Sequence, residues 1–146
     1  AAETKIGVVN TERVLRDAAP AVRAQKKIEK EFEKRDQEMQ RLAKQLQTLQ
    51  EALEKNAVTM SESEKRNKER EFNDLNREFQ RKQREFREDL NQRRNEELAS
   101  VLERANKAIK AIAEAEKFDV ILQEAAYVAP RVDITDRVIK AMADGK

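Results

Sequence analysis

The sequence predicts a mainly α fold with a small β body: a long antiparallel helical hairpin, a coiled-coil tentacle, inserted in a small strand-plus-helix oligomerisation domain. Three observations carry this. Of 146 residues, 41% are charged, with 31 basic residues almost balanced by 29 acidic ones, which suits long solvated helices better than a globule. Two glycines, two prolines and no tryptophan supply too little turn chemistry for a many-stranded sheet. Two heptad seams follow one another with a single helix-restart signal between them.

The elements follow in order. Residues 5–10, Lys-Ile-Gly-Val-Val-Asn, are β-branched and bounded by polar residues, as a strand is. Asn10 or Thr11 can cap a brief helix with Val14 and Leu15 inward, and Pro20 suits the first turn of the next. The first seam runs through Ile28, Phe32, Met39, Leu42, Leu46, Leu49 and Leu53, with Arg35 in its one gap. The second runs through Phe72, Leu75, Phe79 and Phe86, with Lys82 in its gap, then shifts by one residue to Leu90, Leu98, Leu102, Ala105, Ile109 and Ile112. Between them Ser61, with Glu64 three residues later, forms a capping box. Doubling back there sets Leu49 against Phe72, Leu46 against Leu75, Leu42 against Phe79, Arg35 against Phe86 and Phe32 against Leu90. Beyond the arm, Phe118–Leu122 reads as a buried strand and Tyr127–Ala129 as a shorter one. Asp133 or Thr135 can cap a last helix carrying Val138, Ile139 and Met142.

The expected domains are therefore 1–23 plus 113–146 as the β-containing oligomerisation body, and 24–112 as the arm, with its tip near 57–63. Three short strands from one chain leave open edges that invite pairing with another copy, so Ile6, Val8, Val120 and Leu122 are the expected oligomerisation positions. Leu42, Leu46, Leu49, Phe72, Leu75 and Phe79 are the expected arm seam.

Composition also bounds the chemistry. With no His and no Cys, imidazole catalysis, thiol chemistry and the usual zinc or iron–sulfur ligand sets are excluded. Gly7 and Gly145 stand alone, so no glycine-rich loop cradles a phosphate. No catalytic, cofactor-binding or metal residues are expected, and the chain does not read as an enzyme. No apolar run reaches the roughly 20 residues that span a bilayer. The opening Ala1-Ala2-Glu3-Thr4 is what a small-residue signal-peptidase site leaves downstream, so export with a cleaved signal peptide absent from this chain is expected.

Strand, long charged hairpin, strand pair and closing helix, in that order, resemble the Skp (OmpH-like) family of periplasmic outer-membrane-protein chaperones. The more specific stretches are Lys5-Ile6-Gly7-Val8-Val9-Asn10, Phe86 with Arg93-Arg94-Asn95-Glu96-Glu97, Phe118-Asp119-Val120-Ile121-Leu122, and Asp133-Ile134-Thr135. The resemblance implies a periplasmic homotrimer, its strands in a small central barrel and three arms around a cavity. There it would hold unfolded outer-membrane β-barrel proteins without ATP, prevent their aggregation and deliver them for assembly. It also implies contact of Lys82, Arg93 and Arg94 with lipopolysaccharide or another anionic lipid, although Gln92 stands where a further basic residue is expected.

Each feature has a plainer reading. Phe72, Phe79 and Phe86 serve as seam core before they serve as client-binding aromatics, and Lys82 covers apolar neighbours with its stem. Lys55, Lys65, Arg66, Lys68 and Arg70 near the tip form a solvated face before a membrane contact. Over residues 21–117, 24 Lys and Arg against 21 Asp and Glu make no continuous phosphate-tracking stripe, so nucleic acid is not an expected partner. A structural coiled-coil tether would leave the strands without a task. A prefoldin-like cytosolic holdase carries its hairpin ends at the chain termini, whereas here the strands lie at the ends.

Overall fold

The computed structural model describes residues 3–144. In chain order these form β1 (Ile6–Val8), α1 (Thr11–Asp17), α2 (Ala19–Lys55), α3 (Glu62–Glu116), β2 (Val120–Leu122), a 3₁₀ turn (Pro130–Val132) and α4 (Thr135–Asp144). Long paired helices with a small sheet are the fold class the sequence predicts. Gly145 lies outside the described residues.

Each helix boundary has a local cause. The Arg13 N–H donates to Asn10 Oδ1 at 3.1 Å, opening α1. Pro20 is the second residue of α2, where its missing N–H leaves no intrahelical bond unmade. At the tip the Thr59 and Met60 N–H groups both donate to the Asn56 carbonyl, and the Glu64 N–H donates to Ser61 Oγ at 3.1 Å. The reversal thus lies within 56–61. At the far end of α3, Lys117 adopts a left-handed φ of 59° and the Phe118 N–H returns to the Ala113 carbonyl at 2.9 Å, a Schellman closure made without glycine.

The chain divides into two compact units, one comprising residues up to Ile28 and from Arg93 onward, the other Glu29–Gln92. The first unit is larger than 1–23 plus 113–146 because α3 contributes to its core. Val101 and Ala105 are buried with Val9, Val14, Ala18, Ile134, Val138 and Met142, while Ala108 and Ile112 pack against them. Ala105, Ile109 and Ile112 lie where the seam read from sequence placed them, but Leu98, assigned there to the interior, is 44% exposed, and Val101 is 5% exposed in its stead.

In this unit β1 and β2 pair in parallel, Ile6 with Val120, Gly7 with Ile121 and Val8 with Leu122. Parallel neighbours require a long crossover, and the whole arm is that crossover. The other edge of β1 is also used: Val8 bridges to Asp133, and the Ile134 N–H donates to the Val8 carbonyl at 2.9 Å. The expected strand at Tyr127–Ala129 does not form. Ala129 is extended at φ −68°, ψ 142° ahead of Pro130, which starts the 3₁₀ turn, and Tyr127 is 82% exposed. Its aromatic and β-branched character signalled a strand, but residues 133–134 occupy the β1 edge.

In the second unit Phe32, Leu42 and Leu46 are buried, and Leu49, Phe72, Leu75 and Phe79 are half-buried along the helix pair. Phe32 meets Phe86 edge-on, with centroids 5.4 Å apart at 89°. The Arg35 guanidinium lies 5.7 Å from the Phe86 centroid, as that register placed it.

Candidate functional site

Because register partners in a sheet share a face, Gly7 and Ile121 point one way and Ile6, Val8, Val120 and Leu122 the other. The first face meets the core: Ile121 packs on the buried cluster, and the Gly7 Cα lies against Phe118 and Ile134. The opposite face keeps Ile6, Val120 and Leu122 between 43% and 44% exposed, while Val8 is buried. So three of the four positions expected to oligomerise present apolar surface on a sheet only two strands wide. Among the described residues β2 has a strand neighbour on one edge alone.

Behind that sheet lies a polar network that sequence reasoning caught only as a cap. Thr135, fully buried, accepts from the Asn10 N–H at 2.9 Å and donates from its hydroxyl to Asp133 Oδ1 at 2.5 Å. The Thr135 N–H donates to the same oxygen at 2.9 Å. It joins the first and last segments of the chain over 125 positions. The two Thr135 donors, its hydroxyl first, hold the Asp133 carboxyl below its ordinary value of 3.8. A carboxyl depressed by folding contributes stability that is complete above its unfolded pKa and is lost as pH falls through its folded one. Asp133→Asn should therefore cost about 1 kcal/mol at neutral pH. The gap from wild type should close as pH falls from 3.8 through the lower folded pKa, beneath which both proteins are neutral at that position. Urea midpoints of the two proteins at pH 7 and at acid pH test this; an equal gap at both would remove the charge from the account.

Of the three cations singled out for anionic lipid, Lys82 and Arg93 are engaged with carboxylates. Lys82 Nζ lies 2.5 Å from Glu38 Oε1 and 3.6 Å from Glu78 Oε1. The hydrogen bond across the pair raises the Lys82 pKa and lowers that of Glu38. Arg93 forks between Glu96 at 2.8 Å and Glu97 at 2.9 Å. Arg94 lines a groove with Leu15, Ala21, Ile28 and Leu98. Lys82 belongs to the second unit, and Arg93 and Arg94 to the first.

Two contacts escaped sequence reasoning. Phe118 lies under two cations, Lys5 Nζ at 4.4 Å and the Arg137 guanidinium at 5.7 Å from its centroid. Asp133 serves as β1's second neighbour. The Lys5 and Phe118 signal was present only as two residues at opposite ends of the sequence, and the one trace of Asp133 was its capping chemistry.

The family model described as "Outer membrane protein (OmpH-like)" matches residues 5–142. Among solved structures, the chain is similar to an OmpH-like protein from Caulobacter crescentus CB15, reported as a candidate outer membrane chaperone. The TM-score is 0.79 at 17% identity, covering 99% of this chain and 86% of that one. At that identity the likeness is one of fold. No curated protein matches the sequence significantly.

Proposed function

Because the chain belongs to the OmpH-like family over residues 5–142, we propose that it is an ATP-independent periplasmic holdase. As a homotrimer it holds unfolded outer-membrane β-barrel proteins between its arms, keeps them from aggregating and delivers them for assembly. The observation that carries this is the family match. The half-exposed apolar face of Ile6, Val120 and Leu122 supports self-association, since a two-stranded sheet is marginal alone and an open edge accepts a further strand. A barrel protein in transit exposes apolar residues and unpaired edges, and many weak contacts retain it while each one breaks quickly. No chemical step enters this cycle. Contact of Lys82, Arg93 and Arg94 with lipopolysaccharide or anionic lipid is a lesser part of the reading, and for Lys82 and Arg93 it requires displacing the carboxylates described above.

The test is to dilute a urea-unfolded outer-membrane barrel into the purified protein and measure both its solubility and the mass of the soluble complex, with and without ATP. Suppression of aggregation by an oligomer, unchanged by nucleotide, is expected. Leu122→Glu, placing charge on the apolar face, should shift the sedimenting species to monomer. Nucleotide dependence, or a wild-type monomer at micromolar concentration, would overturn the proposal.

A further inference from the structure

The arm seam has an ambiguity built into its spacing. Phe72, Phe79 and Phe86 repeat every seven residues, and so do Leu42 and Leu49. In the register read from the sequence, Leu42 and Leu49 lie against Phe79 and Phe72. Sliding α3 by one heptad sets the same leucines against Phe86 and Phe79. At these two leucines apolar matching does not distinguish the phases, since each still faces a phenylalanine; at Leu46 the slip exchanges Leu75 for Lys82.

Two ion pairs cross the seam where both heptad patterns skip an apolar residue. Arg35 Nη2 lies 2.9 Å from Asp89 Oδ2, with its guanidinium also near the Phe32 and Phe86 rings. One turn tipward along α2, Glu38 meets Lys82. Their order is the informative feature. Slide α3 one heptad so that earlier residues come opposite, and Arg35 faces Lys82. Slide it the other way, and Glu38 faces Asp89. Each slip replaces an attraction with a like-charge pair, and the four charges alone impose this in both directions.

We propose that Arg35, Glu38, Lys82 and Asp89 form a phase lock that specifies which turn of α3 pairs with which turn of α2. This inference is independent of what the arms hold. A charge in a coiled-coil seam weakens packing and is best attested where it fixes alignment. Here the alignment at stake is that of one chain with itself.

The lock makes directional expectations that a merely stabilising pair would not. Lys82→Glu sets two carboxylates together in the native phase and gives Arg35 a partner after a slip that brings earlier α3 residues opposite. Asp89→Lys sets two cations together and gives Glu38 a partner after the opposite slip. The chain has no cysteine, so engineered pairs report phase cleanly. Q45C with D74C, two positions lining one groove, reports the native phase. Q45C with N67C and Q45C with R81C report the two slips, because seven residues move a helix by about 10 Å.

Disulfide trapping of full-length protein, read on denaturing gels, should give the Q45C/D74C product for wild type. Lys82→Glu should raise the Q45C/N67C product at least tenfold, and Asp89→Lys the Q45C/R81C product at least tenfold. The fourfold swap R35E/E38K/K82E/D89R keeps both attractions and both clashes, and should return trapping to the native pair. Native trapping alone in both single variants, slips in the same direction, or equal trapping of all three pairs, as in an unravelled arm, would overturn the lock.

Discussion

Ile134→Ala should lower the stability of the first unit by about 3 kcal/mol, within the range of 2–5 kcal/mol for emptying a well-packed aliphatic site. Ile134 is wholly inaccessible and belongs to the buried cluster with Val9, Val14, Val138 and Met142. Its N–H is bonded to Val8, so the backbone remains tied at the bridge and collapse around the missing atoms is restricted. The effect should be local. The two units need not unfold together, so a midpoint alone does not say which of them has weakened. Amide hydrogen exchange is the better readout: the Val9 and Val138 N–H groups should exchange on the order of a hundredfold faster, while those around Leu42 and Leu46 keep their wild-type rates. Unchanged protection at Val9 would mean that the two ends of the chain are held together by something other than this core.

That the chain's extremities share one core was readable from sequence because both carried short apolar runs that neither could bury alone. Residues 6–8 and 120–122 are strands as expected, and 135–144 is the closing helix. The arm was legible for a related reason. A seven-residue repeat is a one-dimensional signal, and the Ser61 cap with the neighbouring turn marked its single reversal.

What could not be read depends on three-dimensional competition for the same partner. Tyr127–Ala129 has the composition of a strand, but the second edge of β1 is taken by Asp133 and Ile134, whose own signal was that of a helix cap. Leu98 and Val101 are both apolar, and only the buried cluster to which Val101 belongs selects the second. Among the residues singled out for function, sequence identified which sheet positions are apolar but could not say that Val8 is buried while its neighbours Ile6 and Leu122 are not. For Lys82 and Arg93 it recorded positive charge without the carboxylates that meet them. A cation is visible in one dimension, whereas its neutralising partner 44 positions away is not.

Gly7 should prove intolerant of even one added carbon. A glycine in the middle of a strand ordinarily weakens it, so its presence points to a close approach. No described glycine has a positive φ, which makes the constraint at Gly7 one of space rather than backbone conformation. A Cβ there would lie 3.0 Å from Phe118 Cε1, 3.2 Å from Cδ1 and 3.5 Å from the Ile134 Cγ2. The ring cannot yield cheaply: Lys5 and Arg137 cover it, and Phe118 begins the segment that becomes β2. Gly7→Ala should cost about 1–2 kcal/mol and Gly7→Val about 3 kcal/mol, as overpacking does. If the ring is the obstacle, the cost is conditional on it. In an F118L background Gly7→Ala should cost less than about 0.5 kcal/mol, a coupling that a double-mutant cycle in urea resolves. An equal penalty with and without the ring would place the constraint in the β1–β2 backbone pairing, and Phe118 would then be a neighbour of the glycine rather than its cause.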